Sequence, residues 1–103
     1  MRILKEKVIK AQFEKYPDVE GPLIQWLKEA KRADWRSPQE LKNRFPSVSV
    51  LADNRFVFNI KGNHYRLIVH IFFPARIIYV KFFGTHAAYD TIDAVTVDDF
   101  GDD

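Results

Sequence analysis

Three features of this chain predict an α+β fold. Apolar residues recur at helical spacing in the first half and at strand spacing from Ser47 onward. Pro, Ser and Asp punctuate the first half where helices should start and stop, while Gly- or Pro-containing reversals separate the apolar runs of the second. Helices followed by strands, rather than an alternation of the two, predict N-terminal helices packed on one face of an antiparallel β-meander. A short C-terminal helix closes the arrangement.

The first segment interleaves Ile3, Leu4, Val8, Ala11 and Phe13 with charged residues at roughly 3.6-residue spacing. It reads as an amphipathic helix that must end before Tyr16-Pro17, because proline disfavours helical backbone in the residue before it. Asp18 is the expected N-cap of a second helix, with Leu23, Ile24, Leu27 and Ala30 on its apolar stripe and Trp26 beside them. "SPQELKNRF" carries a third start signal: Ser37 as cap, Pro38 at the first helical position and Glu40 three residues after the serine. That helix stops before Pro46. Trp26, Trp35 and Phe45 are expected to pack the helical layer.

From Ser47 the period is two. "SVSVLAD" offers a short strand and "RFVFNI" (55–60) a better one; "KGNH" then reverses the chain into "YRLIVHIFF", and "PAR" turns it into "IIYVKFF". Strict alternation places Leu67, Val69, Ile71 and Phe73 on one side of the first long strand. In the second, Ile78, Val80 and Phe82 form the cleaner apolar side, with Ile77, Tyr79, Lys81 and Phe83 opposite. Helices should cover the apolar sets and leave Arg66, Tyr79 and Lys81 on a shared open face. After Gly84, Thr85 is a natural N-cap, which puts His86, Tyr89 and Asp90 at i, i+3 and i+4 on one face of a last helix.

The 103 residues make one domain, 1–103, that buries about 65% of its unfolded surface. With 47% apolar residues and nine Phe, disorder is excluded for most of it. The absence of cysteine removes disulfides, thiolate nucleophiles and Cys-ligated zinc. No apolar run is long enough to span a membrane and the N-terminus lacks the apolar core of a secretory signal, so a cytoplasmic location with no membrane partner is expected. The net charge of +2 hides a separation. Up to Tyr89, all 16 Lys and Arg face eight acids, giving +8; from Asp90 onward six Asp stand without a base, giving −6. A basic body suits a polyanion. The acidic end, from about residue 97 to 103, is expected to be a flexible tail; the other reading has Asp98, Asp99, Asp102 and Asp103 folding back over the basic face.

An open sheet face carrying cations and rings suits single-stranded RNA, since the cations neutralise phosphate and the rings stack on bases. Arg66, Tyr79 and Lys81 supply it, and Asn59, Lys61 and Asn63 at the neighbouring turn extend it. His86 can exchange a proton near neutral pH, with Asp90 to orient it and Tyr89 to stack or donate a hydrogen bond. A structural role for the same histidine is the alternative. His64 and His70 match no metal-ligand spacing, and no Gly-rich phosphate loop is present, so neither metal nor cofactor is expected.

"RFVFNIKGNHYRLIVHIFF" followed by "IIYVKFFGTHAAYDTIDA" resembles the HigB-type toxins of bacterial toxin–antitoxin pairs, within the RelE-like superfamily. The resemblance runs through Phe58, Asn59, Ile60, Gly62, Asn63, Tyr65, Arg66 and Leu67, then Gly84, Thr85, His86, Tyr89 and Asp90; "PQELKNRFPSV" fits as well. It implies a RelE-like fold, a ribosome-dependent endoribonuclease that cuts translated mRNA at the decoding site, and a helix-turn-helix antitoxin (HigA-like) as partner. Metal-independent cleavage by the RNA's own 2′-OH would then use Arg66 and Lys81 for charge, His86 for a proton transfer, Tyr89 to stack or assist and Asp90 to orient His86. The products would be a 2′,3′-cyclic phosphate and a 5′-hydroxyl. A non-enzymatic RNA- or ribosome-binding module, or a gyrase poison on the same scaffold, are the competing readings. The Asp-rich end "VDDFGDD" has no place in the family pattern.

Overall fold

The computed structural model describes residues 1–101. Expectations that fall on Asp102 and Asp103 lie outside them. Strand β1 (Arg2–Leu4) leads into α1 (Glu6–Lys15), a 3₁₀ turn at Pro17–Val19, α2 (Glu20–Arg32) and α3 (Pro38–Arg44). Then come β2 (Ser49–Val50), β3 (Arg55–Ile60), β4 (Tyr65–Phe72), β5 (Ile77–Thr85) and a four-residue helix α4 (His86–Tyr89). The sheet order is β1-β5-β4-β3-β2. β2 through β5 form the expected antiparallel meander, and β1 pairs parallel with β5, Ile3 opposite Ile78.

Local chemistry explains most of these elements. Ser37 Oγ accepts from the backbone N–H of Glu40 at 3.2 Å, so α3 begins where the capping signal stands. Thr85 Oγ1 does the same for Ala88 at 3.1 Å and starts α4. Lys61 and Gly62 both take left-handed backbone, φ 52° and 64°, which turns β3 back into β4 without splaying the pair.

Three expectations are corrected. Arg2–Leu4 is strand rather than helix, because its backbone closes the open edge of β5, and three residues are too few to display a period. Consequently α1 buries Ile9, a residue outside the expected stripe. Asp18 does not cap α2, whose start carries no side-chain cap. Its carboxylate instead accepts from the Lys61 ammonium at 2.7 Å and the Tyr65 hydroxyl at 2.8 Å, tying the helical layer to the β3–β4 turn.

The third correction concerns β5. Ile68 pairs with Phe82 and Val69 with Val80, so Lys81 is an extra residue, a β-bulge. The bulge inverts the alternation of everything after it. Val80 and Phe83 enter the main core with Leu67, Val69 and Ile71, against Leu23, Trp26 and Leu27 of α2. Phe82, expected inside, turns to the opposite face and joins Val57 and Ile68 in a second, smaller core. That core is roofed by Ala88 and Tyr89 of α4 and by Ile92, Ala94 and Val97 of the C-terminal segment. The face expected to be open is therefore covered across its middle.

Two measurements check this architecture. Ile68 is wholly buried on a face that strand alternation alone leaves wet. Ile68→Ala should lose about 2–5 kcal/mol in urea unfolding, against about 0.5 kcal/mol or less for a solvent-facing position. The Asp18 carboxyl is held below its ordinary value, first by the hydrogen bond from Lys61 and then by that from Tyr65. A lowered folded-state value stabilises at pH above the ordinary carboxyl range and is lost as pH falls through the folded value. The stability advantage of wild type over Asp18→Asn should thus hold above about pH 5 and shrink on acidification below about pH 4, read as urea midpoints across pH.

Candidate functional site

One end of the sheet gathers most of the singled-out residues. Arg66 on β4 lies in register between Asn59 on β3 and Gly84 on β5. Its guanidinium donates to the Asn63 carbonyl at 3.0 Å and the Tyr65 carbonyl at 3.2 Å, which fixes its direction. Gly84 has no side chain to compete for the space beside it, and a Cβ there would come within 2.9 Å of the Phe82 ring and 3.5 Å of Ala88. α4 packs directly over this gap.

The start of α4 is fixed twice, by the Thr85 cap and by the His86 backbone N–H donating to the His64 carbonyl at 3.0 Å. One turn of helix then brings the chemistry together as its spacing predicts. His86 Nδ1 lies 3.9 Å from Asp90 Oδ2, and the Arg66 guanidinium carbon lies 5.8 Å from the centre of the Tyr89 ring. The His86 and Asp90 side chains are 59% and 69% exposed. An imidazole open to solvent, a carboxylate within reach and a cation held against a ring form a surface able to bind a phosphate and move a proton.

Other expected members stand elsewhere. Lys61 is drawn away to Asp18 on the helical side. Lys81 and Tyr79 lie further along β5: Lys81 is three residues from Gly84, about 10 Å at strand rise. Tyr79 pairs with His70, their ring centres 5.8 Å apart, and the Lys81 ammonium lies 5.7 Å from the Tyr79 ring centre. Lys81 is only 4% exposed and meets Asp98 at 3.2 Å. The single basic face expected of the sequence is thus two polar regions, separated by the second core.

Sequence reasoning missed Arg55. It is 8% exposed and donates to the carbonyls of Ala94, at 3.1 Å, and Val97, at 2.7 Å, so it fastens the C-terminal segment over the sheet. The available signal was an arginine in phase with Val57 on a strand whose other polar residue is Asn59, together with apolar residues spaced through the acidic end. Of the segment expected to be a flexible tail, residues 97–101 are described, and there the Asp99 N–H donates to the Lys81 carbonyl at 3.0 Å and the Lys5 ammonium to the Phe100 carbonyl. Among the described residues, no cluster of three His, Asp or Glu could hold a metal ion, and no helix is long and apolar enough to cross a membrane.

Known proteins share this arrangement of sequence. The HigB toxin family, described as the RelE-like toxic component of a toxin–antitoxin system, matches residues 19–92. The mRNA interferase toxin HigB of Escherichia coli strain K12 is 31% identical over 97 residues, covering 92% of this chain and 93% of the relative. The mRNA interferase HigB of Shigella flexneri is similar to the same extent. That of Escherichia coli O6:H1 strain CFT073 is 30% identical over 91 residues, 82% of this chain and 88% of the relative. The matched stretch contains both halves of the Arg66–His86 cluster and the strands that join them, and on this evidence the chain belongs to the HigB toxin family, the RelE-like toxic components of toxin–antitoxin systems.

Proposed function

We propose that the protein is an endoribonuclease that cuts mRNA on the ribosome, and that the exposed cluster of Arg66, His86, Tyr89 and Asp90 is its active surface. The observation that carries this reading is the position of the His86 imidazole. It is open to a large substrate, has the Asp90 carboxylate 3.9 Å away, and shares its helix with the ring against which Arg66 is held. The names of the relatives, mRNA interferases, agree with it.

The chemistry needs little from the protein. The 2′-oxygen attacks the neighbouring phosphorus, the bond from phosphorus to O5′ breaks, and one proton leaves the 2′-OH while another reaches the departing O5′. The products are a 2′,3′-cyclic phosphate and a 5′-hydroxyl. Arg66 offsets the charge that builds on the phosphoryl oxygens, His86 carries a proton at one of the two oxygens, and Asp90 orients the imidazole and stabilises its cation. Tyr89 offers its ring to a base. Lys81 serves RNA binding rather than the reacting phosphate, because it lies along the strand from this cluster and is buried. So small a set suffices if the ribosome orients the message, since positioning alone contributes about 7–11 kcal/mol. A helix-turn-helix antitoxin is the proposed partner, and a cytoplasmic location follows from the substrate.

Purified ribosomes carrying a defined message should yield new 5′ ends when the protein is added. His86→Ala should slow this roughly 10²–10⁴-fold with little change in melting temperature, because the side chain is exposed. Absence of cleavage by folded wild type would defeat the enzyme reading in favour of a binding module. Undiminished cleavage by the variant would remove His86 from the mechanism.

A further inference from the structure

Breaking an RNA chain through its own 2′-OH moves two protons. One leaves the 2′-oxygen as it attacks phosphorus, and one must reach the departing O5′. These oxygens lie on opposite sides of the phosphorus, so a single imidazole serves only one of them at a time. His86 accounts for one proton, and the other calls for a second exchangeable group on the same surface.

The end of the β4–β5 ladder supplies it. Arg66 stands opposite Gly84, and Tyr65 opposite Thr85. One residue further out, the His86 backbone N–H donates to the His64 carbonyl at 3.0 Å, so His64 meets His86 as the next step of the same ladder. Hydrogen-bonded pairs across an antiparallel ladder have Cα atoms about 5.5 Å apart. Positions two apart along a strand share a side, which carries His64 to the side of Arg66. The guanidinium points the same way: it donates to the carbonyls of Asn63, at 3.0 Å, and Tyr65, at 3.2 Å, the residues on either side of His64. The His64 N–H in turn donates to the Lys61 carbonyl at 3.2 Å and closes the turn.

The two histidines are both exposed but differently supported. His86 has the Asp90 carboxylate 3.9 Å away, while the His64 side chain has no hydrogen bond or ion pair among the described residues. The charged groups of the elements that meet here are Arg66 on β4, His86 and Asp90 on α4, and Lys61 in the turn, whose ammonium is engaged by Asp18.

We infer that His64 is the general base of the cleavage and His86 its general acid; the two roles rest on the reading of the protein as an endoribonuclease. A ring nitrogen of neutral His64 takes the proton of the 2′-OH, and the electron pair left on that oxygen forms the bond to phosphorus. The bond from phosphorus to O5′ breaks, and its electron pair takes a proton from the His86 imidazolium. His64 ends protonated and His86 neutral, and exchange with water restores both. Asp90 sets the direction: a carboxylate stabilises the imidazolium, which suits His86 to hold a proton until O5′ departs. His64 shares its surface with a guanidinium instead and is the group free to accept.

The test is cleavage of a defined message on ribosomes, followed as the first-turnover rate over about pH 5 to 9, which spans the range where histidine titrates. Wild type should give a bell. Its rate falls on the acid side as the base gains a proton, and on the alkaline side as the acid loses one. His64→Ala leaves in place the backbone carbonyl that holds α4, so its melting temperature should be unchanged. Its cleavage should slow roughly 10²–10⁴-fold and lose the acid-side fall. His64→Gln, which keeps a polar side chain but cannot take the proton, should behave alike. A message with sulfur in place of O5′ at the cleaved bond separates the two roles, because a thiolate leaves without a proton. It should restore most of the rate lost in His86→Ala and little of that lost in His64→Ala. Wild-type rates in both His64 variants overturn the proposal; so does a slower rate that keeps both limbs of the bell, or rescue of His64→Ala by the sulfur-containing message. If wild type leaves the message intact, the nuclease reading falls and the role of His64 with it. If wild type cleaves and the His64 variants cleave equally, only the role of His64 falls.

Discussion

The bulge at Lys81 is the constraint on which the rest of this structure depends. One extra residue in β5, between the pairs Val69–Val80 and Ile68–Phe82, changes which face each later side chain meets. Phe83 gains the main core, where it stacks on Tyr65 at an interplanar angle of 12°, and Phe82 becomes the floor of the second core. With the phase reset, Gly84 arrives beside Arg66 and Thr85 beside Tyr65, so the chain leaves the sheet at the point where α4 can fold back over Phe82. Bulges re-aim side chains next to functional sites in just this way. A regular strand would have sent Phe82 inward and left α4 without a floor.

That floor accounts for the C-terminal segment. Val57, Ile68 and Phe82 form an apolar patch on what is otherwise the polar side of the sheet, and α4 alone is too short to cover it. Ile92, Ala94 and Val97 complete the cover, and Arg55 gives the irregular backbone there two charge-assisted hydrogen bonds that it would otherwise lack. Asp98 and Asp99 follow directly on the cover, which brings Asp98 to Lys81. The charge separation along the sequence, +8 followed by −6, is thus in part folded onto itself.

The sheet is covered on both faces, by helices on one and by α4 with the C-terminal segment on the other, so it presents its ends and its margin rather than an open plane. The exposed cluster around His86 sits where strand ends, the β3–β4 turn and α4 converge. Asn63 and His64 hold Arg66 and α4 through backbone carbonyls, which makes the turn a positioning element for the cluster as much as a connection. Asp18 in turn anchors that region from the helical layer through Lys61 and Tyr65. Family membership gives the toxin role; the local geometry gives the residues proposed to carry it out.

The sequence by itself determined what depends on neighbours within a few residues. Ser37 and Thr85 cap the helices they precede, "KGNH" turns the chain, and the His86–Tyr89–Asp90 spacing meets on one helical face, because each of these is settled within a single turn of backbone. Family and α+β class were legible for the same reason, from motif and period. Only the tertiary structure decided the face of Phe82, the burial of Lys81, the parallel pairing of Arg2–Leu4 and the use of Asp18 as an anchor instead of a cap. Each of those depends on a partner far along the chain, and a bulge leaves the local alternation of apolar and polar residues looking like an ordinary strand until the opposing strand shows which residue has no partner.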